Sequence, residues 1–577
     1  MAFAETPAAA PRATLRASRS TLTFVPLLTL AAMLGPICAG LAGTVLPALG
    51  WYPAAGTTAL DGAPIRALLA WPGLADAARL SLTTGLAATA LSLGIVALVF
   101  AGWWGTRPFG MLERLLSPLL SVPHAAAAFG LAFLIAPSGW LFRLAAPLIG
   151  WDRPPDLLIL NDPWGLSLTA GLVAKEVPFL TLMALAALGQ SDGRRSLRAA
   201  QAMGYGRLTG WLKTVFPRVY AQIRLPVYVV LAYSMSVVDA AVILGPTTPN
   251  TLSVQIVRWM GDPDLGQRLV AAAGAVLQLA LVAAALALWR GGEHVVALVG
   301  RAWILGGDRG RLDRVLRPLG LMAGVLSAAA VLAGLVALVM WSVAGFWSFP
   351  DVWPDTVTWR SWSRHGAGLA EAARMTAVVA LASTGIALIL VLGCLEAEHR
   401  SGRRLTRRGL WLLYLPLLVP QIAFLPGLQT LLLTAGADTG LLPVIAAHLV
   451  FVLPYVFLSL GDPWRAWDVR HATVAAALGA SPRAVLWRVR LPMLLRPVLT
   501  ATAVGLAVSV GQYLPTLLIG GGRVATLTTE AVALAAGGDR RAIGVYSVAQ
   551  TAAALLPFAL ALGIPALAWR NRRGLHG

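Results

Sequence analysis

Apolar stretches of about 20 residues alternate with short polar segments along the whole chain. A run of about 20 apolar residues is long enough for a helix to cross the hydrocarbon core of a bilayer. The pattern therefore predicts an all-α polytopic membrane protein with about twelve membrane-spanning helices. The predicted spans cover residues 22–47, 80–103, 114–136, 163–189, 222–245, 266–289, 318–345, 373–394, 410–434, 440–462, 496–519 and 544–569.

The composition agrees with a lipid bilayer as the environment of the chain. Hydrophobic residues make up 58% and charged residues 12% of the 577 residues, and the mean hydropathy is +0.74. Soluble domains carry about 25% charged residues. The two cysteines, Cys38 and Cys394, lie far apart in apolar segments and show no metal-ligand spacing. The sequence therefore predicts neither a disulfide framework nor a metal site.

The distribution of basic residues predicts the orientation of the helices. Cytoplasmic segments of membrane proteins carry an excess of Lys and Arg. With a cytoplasmic N-terminus, most of the 45 Lys and Arg residues of this chain fall on the cytoplasmic side. We therefore expect both termini to be cytoplasmic, with short tails at residues 1–21 and 570–577. The net charge of +20 then reflects membrane topology and gives no reason to expect a nucleic-acid partner.

A polar linker rich in Gly and Arg, residues 290–317, divides the chain into two similar halves. Six predicted spans lie in residues 22–289 and six in residues 318–569. The sequence LLSPLLSVPH in the third span resembles LLYLPLLVPQ in the ninth and aligns Pro123 with Pro420. Because six is an even number, both halves have the same orientation in the membrane, which predicts a parallel repeat.

Two predicted cytoplasmic loops, residues 190–221 and 463–495, occupy the same place in the two halves. AAQAMGYGRLTGWLKTVFP in the first and AAALGASPRAVLWRVRLPM in the second share small residues, a glycine, a basic amphipathic segment and a proline. This pattern predicts a short helix that ends at a glycine with positive φ, then a second helix that exposes apolar residues such as Trp211 and Val489 and is broken by proline. The residues that carry the pattern are Ala199, Ala200, Gly204 and Pro217 in the first loop and Ala475, Ala476, Gly479 and Pro492 in the second.

Both loops resemble the cytoplasmic loop of permease subunits in binding-protein-dependent ABC importers, whose pattern is roughly E-A-A-x-x-x-G followed by a hydrophobic residue and Pro. The resemblance covers both halves and is nearest to fused permeases similar to those of thiamine and ferric-iron importers. It implies two six-helix permease halves in a bacterial inner (plasma) membrane. In that family the loop is a coupling helix seated in a cleft of the cytoplasmic ATPase. Arg198 and Thr473 stand where the family has Glu, so the contacts made by that acid must differ in this protein.

The same resemblance implies the partners of the chain. It implies two copies of a cytoplasmic ABC ATPase, one on each loop, and an extracytoplasmic solute-binding protein that delivers a small-molecule or ion substrate. The chain contains no G-x-x-x-x-G-K-[ST] loop for ATP phosphates. We therefore expect no catalytic residues, no metal and no cofactor in this chain, with ATP bound by the partner ATPase subunits.

Polar residues inside the predicted spans are candidates for the translocation path, because placing them in hydrocarbon is costly. Lys175 and Glu176 are neighbours in the fourth span, and helix neighbours point about 100° apart, so we expect them to have different partners. In the fifth span Asp239 is expected midway, with Ser236 one turn back on the same face. Such residues alternatively only hold helices together. The candidates are Glu176, Ser236, Asp239, Ser509 and Gln512, with His448 a weaker one.

These observations predict the transmembrane permease of an ATP-driven importer. The alternative is an ion-driven secondary transporter, which can also have two parallel six-helix halves, although such a carrier has no ATPase to dock on repeated loops. A lipid-linked glycan transferase or flippase is a further alternative, but the outer loops are too short for a catalytic domain. The outer segments are nearly neutral overall and favour neither an anionic nor a cationic substrate.

Overall fold

The computed structural model describes residues 24–190, 192–311, 313–402, 407–437 and 440–568, together with residue 22. The predicted tails, residues 1–21 and 570–577, lie outside the described residues. The described part of the chain contains helices and no strands, and two isolated β-bridges join Tyr52 to Thr57 and Ala344 to Val357. The all-α fold class is confirmed.

The first half contains thirteen α-helices within its described residues. Five of them have at least 20 residues, and the others are shorter. They are α1 (Val25–Ala48), α2 (Ala63–Ala70), α3 (Leu74–Trp103), α4 (Arg107–Leu119), α5 (His124–Ile135), α6 (Trp140–Ile149), α7 (Leu166–Gly189), α8 (Gly193–Ala202), α9 (Arg207–Thr214), α10 (Phe216–Ser236), α11 (Asp239–Leu244), α12 (Leu252–Met260) and α13 (Leu265–Leu305).

The second half follows a similar order of long and short helices. A π-helical turn over Leu486–Arg490 joins two of its short helices. The helices are α14 (Asp313–Val343), α15 (Arg360–Ser401), α16 (Arg407–Leu418), α17 (Gln421–Thr434), α18 (Leu441–Ala466), α19 (Arg470–Ala477), α20 (Pro482–Val485), α21 (Leu491–Met493), α22 (Leu495–Val510), α23 (Leu514–Gly520), α24 (Leu527–Ala535) and α25 (Arg540–Ala568).

The helices agree with eleven of the twelve predicted spans. Among the described residues, nine helices are long and apolar enough to cross a membrane, and two bent helix pairs raise the number to eleven. The span predicted at 222–245 is the exception, because it consists of α10 and α11 separated by Val237 and Val238. Its helix α10 also carries Arg218 and Arg224, which make it less apolar than the other spans.

Three further predicted spans are also interrupted instead of continuous. The one at 496–519 consists of α22 and α23, separated by residues 511–513. The span predicted at 114–136 contains the end of α4 and all of α5, with Pro123 immediately before α5, and its predicted bounds are wrong: the candidate membrane span there is His124–Ile149, which begins and ends later than predicted. The span predicted at 410–434 consists of α16 and α17, whose axes meet at 82° with Pro420 immediately before α17. Proline has no N–H to donate to the preceding turn and clashes with it, so the two aligned prolines account for equivalent breaks in the two halves.

The first long helix of each half packs against the opposite half. Helix α1 lies along α17 and also contacts α15 and α18, whereas α14 lies along α5 and α3. Glycines allow the backbones to approach closely at both crossings, as in other membrane helix pairs. A Cβ atom added to Gly427 would lie 2.1 Å from the carbonyl oxygen of Gly40 on α1, and one added to Gly130 would lie 2.8 Å from the carbonyl carbon of Gly334 on α14. Because each half packs its first long helix against the other half, the two halves form one bundle.

The largest apolar core also extends across both halves. It contains Phe133 of α5, Trp341 of α14, Phe424 of α17 and Phe451 of α18, among many smaller buried side chains. Phe133 and Trp341 contact edge to face with ring centroids 6.1 Å apart. The polar side chains described below are therefore held between two halves that share one packed interior.

Candidate functional site

The first predicted cytoplasmic loop, residues 190–221, folds as two short helices, α8 and α9, joined at a glycine. Gly204 lies between them with a φ angle of +84°. The N–H of Tyr205 donates to the carbonyl of Ala200 at 3.2 Å, and the N–H of Gly204 donates to the carbonyl of Gln201 at 2.9 Å. These bonds satisfy carbonyl groups at the end of α8, as in other helices that end at a left-handed glycine.

The second loop repeats this helix end. Gly479 follows α19 with a φ angle of +83°. The N–H of Ala480 donates to the carbonyl of Ala475 at 3.0 Å, and the N–H of Gly479 donates to the carbonyl of Ala476 at 2.9 Å. The positive φ angle predicted for both glycines is confirmed. The two loops thus have the same backbone geometry in the register that the sequence alignment gives.

Each loop presents a large apolar side chain immediately before its glycine. Met203 is 59% exposed and Leu478, its counterpart in the alignment, is 82% exposed. Among the alanines, Ala200 is buried beneath α9 and Ala475 is half-buried. The other positions of the pattern face solvent, namely Arg198, Ala199, Thr473 and Ala476.

The predicted exposure of Trp211 is wrong. Its side chain is buried, stacks on Phe100 of α3 at a centroid distance of 6.2 Å, and lies 5.8 Å from the ring of Phe216. Trp211 therefore holds α9 against the membrane helices. Val489 of the second loop is half-buried, and the exposed aromatic residue near it is Trp487, at 67% exposure.

The two prolines also act differently from the prediction. Pro217 is the second residue of α10, a position where the missing N–H has no helical partner to lose, and the break precedes it at Val215. Pro492 lies inside the short helix α21, after the π-helical turn, and the chain then bends by 76° into α22 at Leu494. Both prolines are therefore close to a bend between loop and membrane helix, but neither is its only cause.

The linker between the halves folds back onto the first loop. The carboxylate of Asp313 accepts bonds from the backbone N–H of Leu208 (3.0 Å) and of Thr209 (3.2 Å), and from the Thr209 hydroxyl (2.6 Å). The N–H of Gly206 donates to the carbonyl of Arg309 at 2.6 Å. A linker residue thus caps the start of α9, where free N–H groups and the helix dipole favour an acid.

A lysine on the first loop adds a second attachment to the linker. The ammonium group of Lys213 donates to the carbonyls of Trp303 (3.0 Å) and Asp308 (2.7 Å). It lies over the rings of Tyr205 and Trp303, at 5.0 and 4.6 Å from their centroids. The indole N–H of Trp303 and the amide of Gly310 hold the pKa of Asp308 below its usual value, so the turn that receives Lys213 is itself fixed.

The second loop is attached to the membrane helices by an arginine. The Arg490 guanidinium donates to the Glu396 carboxylate at 3.2 Å and to the carbonyl of Trp464 at 3.1 Å. It stacks on Trp464 and Trp467, with 4.2 and 4.8 Å between its carbon and the ring centroids. Arg490 and Glu396 are both buried, and Arg400 is a second, more exposed partner of Glu396 at 2.7 Å. The two loops thus share a tip geometry but have different attachments.

Four of the five predicted path residues, Ser236, Asp239, Ser509 and Gln512, lie near the interruption of the fifth predicted span of each half, whereas Glu176 lies on α7. Helix α10 ends at Ser236, and Asp239 begins α11. In the second half α22 ends at Val510, and Gln512 lies in the gap before α23. The prediction that Ser236 and Asp239 share a face of one continuous helix is therefore wrong. The two breaks fall at corresponding positions of the two halves. Each half therefore carries one polar side chain at its helix interruption, Asp239 in the first half and Gln512 in the second.

Polar and aromatic side chains gather around these two interruptions. Nε2 of His124, the first residue of α5, lies 3.7 Å from Oε1 of Glu176, and its ring lies 4.7 Å from that of Tyr233. The carboxylate of Asp239 is close enough to Tyr233 and Tyr513 to interact electrostatically with both phenols. The structure therefore brings Glu176 and Asp239 into one polar cluster.

The second half completes this polar cluster. The amide of Gln421, the first residue of α17, donates to the side-chain oxygen of Gln512 at 3.2 Å. Tyr455 of α18 interacts electrostatically with Glu176 of the first half. We call His124, Glu176, Tyr233, Asp239, Gln421, Tyr455, Gln512 and Tyr513 the path cluster. Glu176 and Asp239 are buried, and the other members retain partial exposure.

The adjacent charges Lys175 and Glu176 have separate partners, as predicted. The Lys175 ammonium donates to the carbonyls of Leu119 at 2.9 Å and Val122 at 2.6 Å. These carbonyls belong to the end of α4 and the turn that follows it, where a helix dipole favours a cation. Lys175 therefore stabilises the break before α5 and points away from the path cluster.

The two predicted serines lie inside their own halves. The Ser236 hydroxyl donates to the carbonyl of Ala232 at 2.6 Å, within α10. The Ser509 hydroxyl contacts Nδ1 of His448 at 2.8 Å, and Nε2 of the same histidine contacts the Thr516 hydroxyl at 2.8 Å. His448 thus ties α18 to α22 and α23, and the structure does not bring either serine into the path cluster.

Some members of the path cluster were not predicted, although the sequence contained a signal for two of them. His124 and Gln421 directly follow the aligned prolines Pro123 and Pro420. A proline that interrupts a membrane helix frees the next residues from a regular helix face, so the residue after it is a good candidate for a path. Tyr233, Tyr455 and Tyr513 carried no comparable signal.

Comparisons with known proteins give the family of the second half and relatives over most of the chain. Residues 385–567 match the model of the family described as "Binding-protein-dependent transport system inner membrane component". The chain is 31% identical over 519 residues to the inner membrane ABC transporter permease protein YnjC of Escherichia coli (strain K12), covering 89% of this chain and 92% of the relative.

Shorter similarities extend to two further transport systems. The chain is 31% identical over 183 residues to the molybdenum transport system permease protein ModB of Mycobacterium tuberculosis, covering 28% of this chain and 68% of the relative. It is 26% identical over 110 residues to the spermidine/putrescine transport system permease protein PotC of Haemophilus influenzae, covering 19% of this chain and 43% of the relative. No solved structure gives a significant match.

Proposed function

Because the chain belongs to the family of inner membrane permeases of binding-protein-dependent ABC importers, we propose that its two cytoplasmic loops are the surfaces on which two ATPase copies dock. As a multi-pass inner membrane permease of an ABC importer, it contributes a path through the membrane while other subunits hydrolyse ATP. Within their described residues, the two loops, residues 190–221 and 463–495, repeat one sequence pattern and contain short helices on both sides of the glycine.

The observation that carries this proposal is the matching helix end in the two loops. Gly204 and Gly479 have φ angles of +84° and +83°, and equivalent backbone bonds precede both. Met203 and Leu478 expose an apolar side chain at the same point of each loop. Two copies of one ATPase need two similar surfaces, and an exposed apolar side chain on a compact turn suits insertion into a partner's cleft.

The remaining assignments follow from the same family membership. We propose that ATP is bound by the partner subunits, that a solute-binding protein delivers a small molecule or ion from outside, and that both termini are cytoplasmic. Thiamine and ferric iron are the solutes that the resemblance of the loops suggests, whereas two of the shorter similarities are to permeases named for molybdenum and for spermidine and putrescine. These solutes are chemically unrelated, so the structure of the path has to select among them.

The docking proposal is tested by adding charge at the tip of the second loop. An added Cβ at Gly479 meets no atom within 4 Å, so Gly479→Glu leaves the permease itself unobstructed. Gly402, with a φ angle of +66° and the same free space, lies at the end of α15 outside both loops. Gly402→Glu is therefore a matched control for backbone strain and added charge.

The measurement is recovery of the ATPase with affinity-purified permease from detergent, at equal permease abundance. We expect Gly479→Glu to lower recovery about tenfold relative to Gly402→Glu, because an unpaired carboxylate in a contact costs more than about 1.4 kcal/mol. Gly204→Glu should act in the same direction. Equal ATPase recovery with all three variants would show that these loops are not the docking surfaces.

A further inference from the structure

The two buried acids of the path cluster have no basic side chain opposite them. Glu176 and Asp239 lie on different helices, α7 and α11, and both are at least nine-tenths buried. The nearest base, Lys175, is bound to backbone carbonyls at the end of α4. His124 is the remaining group that can carry positive charge, and its Nε2 lies 3.7 Å from Glu176, beyond hydrogen-bond distance.

The Glu176 carboxylate is the clearest indication of a ligand. Within the described part of the chain, no donor forms a hydrogen bond with its oxygens, and its side chain is only 6% exposed. A buried ionised carboxylate without a donor is costly, and such groups in membrane proteins generally face a path or a bound ion. The Glu176 carboxylate therefore lies inside the bundle with oxygens that can still accept hydrogen bonds.

The other members of the path cluster suit an organic cation. Tyr233 interacts electrostatically with Glu176 and Asp239, Tyr455 with Glu176, and Tyr513 with Asp239. Aromatic faces attract ammonium groups, and attraction increases when water is excluded. An oxyanion would instead meet two carboxylates of like charge. The combination of two carboxylates with three phenol rings therefore favours a diffuse organic cation.

We propose that the path cluster is a constriction that selects cations, and that the transported solute is a small organic cation with an ammonium group. This inference rests on the proposed function, because it assumes that the interior of the bundle is the translocation path. Glu176 and Asp239 supply the negative potential. Tyr233, Tyr455 and Tyr513 supply aromatic faces, and Gln421 and Gln512 donate or accept hydrogen bonds from the second half.

The local potential can be measured with a cysteine placed beside the acids. In a Cys38→Ala, Cys394→Ala background, Gln512→Cys places a thiol in the path cluster, next in sequence to Tyr513, which interacts with Asp239, without altering either acid. The full-length permease is purified in detergent with its ATPase and treated with two methanethiosulfonate reagents, one carrying a trimethylammonium group and one a sulfonate. Ala54→Cys, at an exposed turn, provides the reference for the intrinsic ratio of the two rates.

We expect the cationic-to-anionic rate ratio of Gln512→Cys to exceed that of Ala54→Cys by about tenfold, because clefts lined with one sign of charge concentrate counter-ions by at least this factor. Adding Glu176→Gln or Asp239→Asn should lower the ratio toward the reference. A ratio equal to the reference, or one unaffected by both substitutions, would overturn the cation-selecting constriction.

The solute class is tested by protection of the same thiol. Choline is compared with its uncharged carbon analogue 3,3-dimethylbutan-1-ol, and butane-1,4-diammonium with butane-1,4-diol. We expect at least one cation to slow modification by an uncharged thiol reagent while its neutral counterpart does not. If neither cation protects better than its neutral counterpart, the assignment of an organic ammonium solute is wrong.

The two proposals can fail separately. Gly479→Glu lies in the cytoplasmic loop and should leave the rate ratio of Gln512→Cys unchanged even if the ATPase is lost. Retention of the ATPase by Gly479→Glu would contradict the docking proposal alone, whereas a reference-level ratio in a complex that retains its ATPase would contradict the cation inference alone.

Discussion

The Arg490 guanidinium and the Glu396 carboxylate form a buried ion pair at 3.2 Å that joins the second predicted cytoplasmic loop, residues 463–495, to the end of α15. Because Arg490 also stacks on Trp464 and Trp467 of the helix end that leads into the loop, one side chain links three segments. A force applied to the loop tip would reach α15 and α18 through this residue. The pair therefore connects the second loop directly to the membrane helices.

Breaking this pair should uncouple the loop from the bundle. Removing one partner of a buried ion pair costs about 3–5 kcal/mol, since the other charge stays buried without compensation. We expect Arg490→Met to leave ATPase binding measurable but to reduce solute-stimulated ATP hydrolysis. The matched control is Arg400→Met, which removes the more exposed partner of Glu396 and should cost about 0–1 kcal/mol. Equal hydrolysis by the two variants would refute the mechanical role of Arg490.

The linker gives the first loop a different support, and this support can be removed selectively. Asp313 caps α9 through Leu208 and Thr209, and loss of such a cap typically costs about 0.5–2 kcal/mol. We expect Asp313→Ala to increase amide hydrogen exchange across residues 206–214, with residues 470–485 unchanged. Hydrogen exchange measured by mass spectrometry on peptides from both loops checks this in a single experiment. An equal increase in both loops would mean that the effect is global.

The glycine crossing between α1 and α17 should be intolerant of even one methyl group. An added Cβ at Gly427 would lie 2.1 Å from the carbonyl oxygen of Gly40 and 2.3 Å from the Thr44 nitrogen. Forced overpacking of this kind costs about 1–3 kcal/mol. We expect Gly427→Ala to lower the thermal unfolding temperature of the detergent-solubilised permease. Gly385→Ala, in the middle of α15 with free space around it, should leave that temperature unchanged or raise it. Similar effects of the two substitutions would contradict a tight crossing.

Much of the fold follows from local sequence, because long apolar runs and turn residues determine the conformation of the residues next to them. The glycine ends of α8 and α19 are local features of this kind, and the sequence predicted both, including their positive φ angles. The interruptions at Pro123 and Pro420 are also local, although the prediction treated each span as continuous.

The long-range features could not be predicted from one sequence. Trp211 looks like an exposed residue of an amphipathic segment, and only its contacts with Phe100 and Phe216 reveal that it is an anchor. The bond between Asp313 and α9 joins residues more than a hundred positions apart, so no periodicity indicates it. In the path cluster, the contribution of the tyrosines depends on how two halves face each other, which neither half encodes alone.

The orientation of the chain is open to direct labelling. The excess of basic residues in the predicted cytoplasmic segments places the linker inside the cell and the segment before α25 outside. We expect Ala536→Cys, but not Gly306→Cys, to react with a membrane-impermeant thiol reagent in spheroplasts, in a background lacking both native cysteines. Both sites are exposed, so permeabilisation should make both reactive. Labelling of Gly306→Cys before permeabilisation would reverse the orientation.

The charge of Asp239 should matter for transport more than for assembly. Asn has nearly the size of Asp and also serves well at helix starts, so Asp239→Asn keeps the beginning of α11 while removing the negative charge. We expect this variant to insert and retain its ATPase like the unmodified permease, but to lose at least about tenfold in initial uptake rate, equivalent to about 1.4 kcal/mol. Asp239→Glu should restore part of the rate because it restores the charge. Ser236→Ala is the neighbouring control, since its hydroxyl bonds only within α10 and its loss should change uptake little. Uptake by Asp239→Asn at the rate of Ser236→Ala would show that Asp239 only packs between helices.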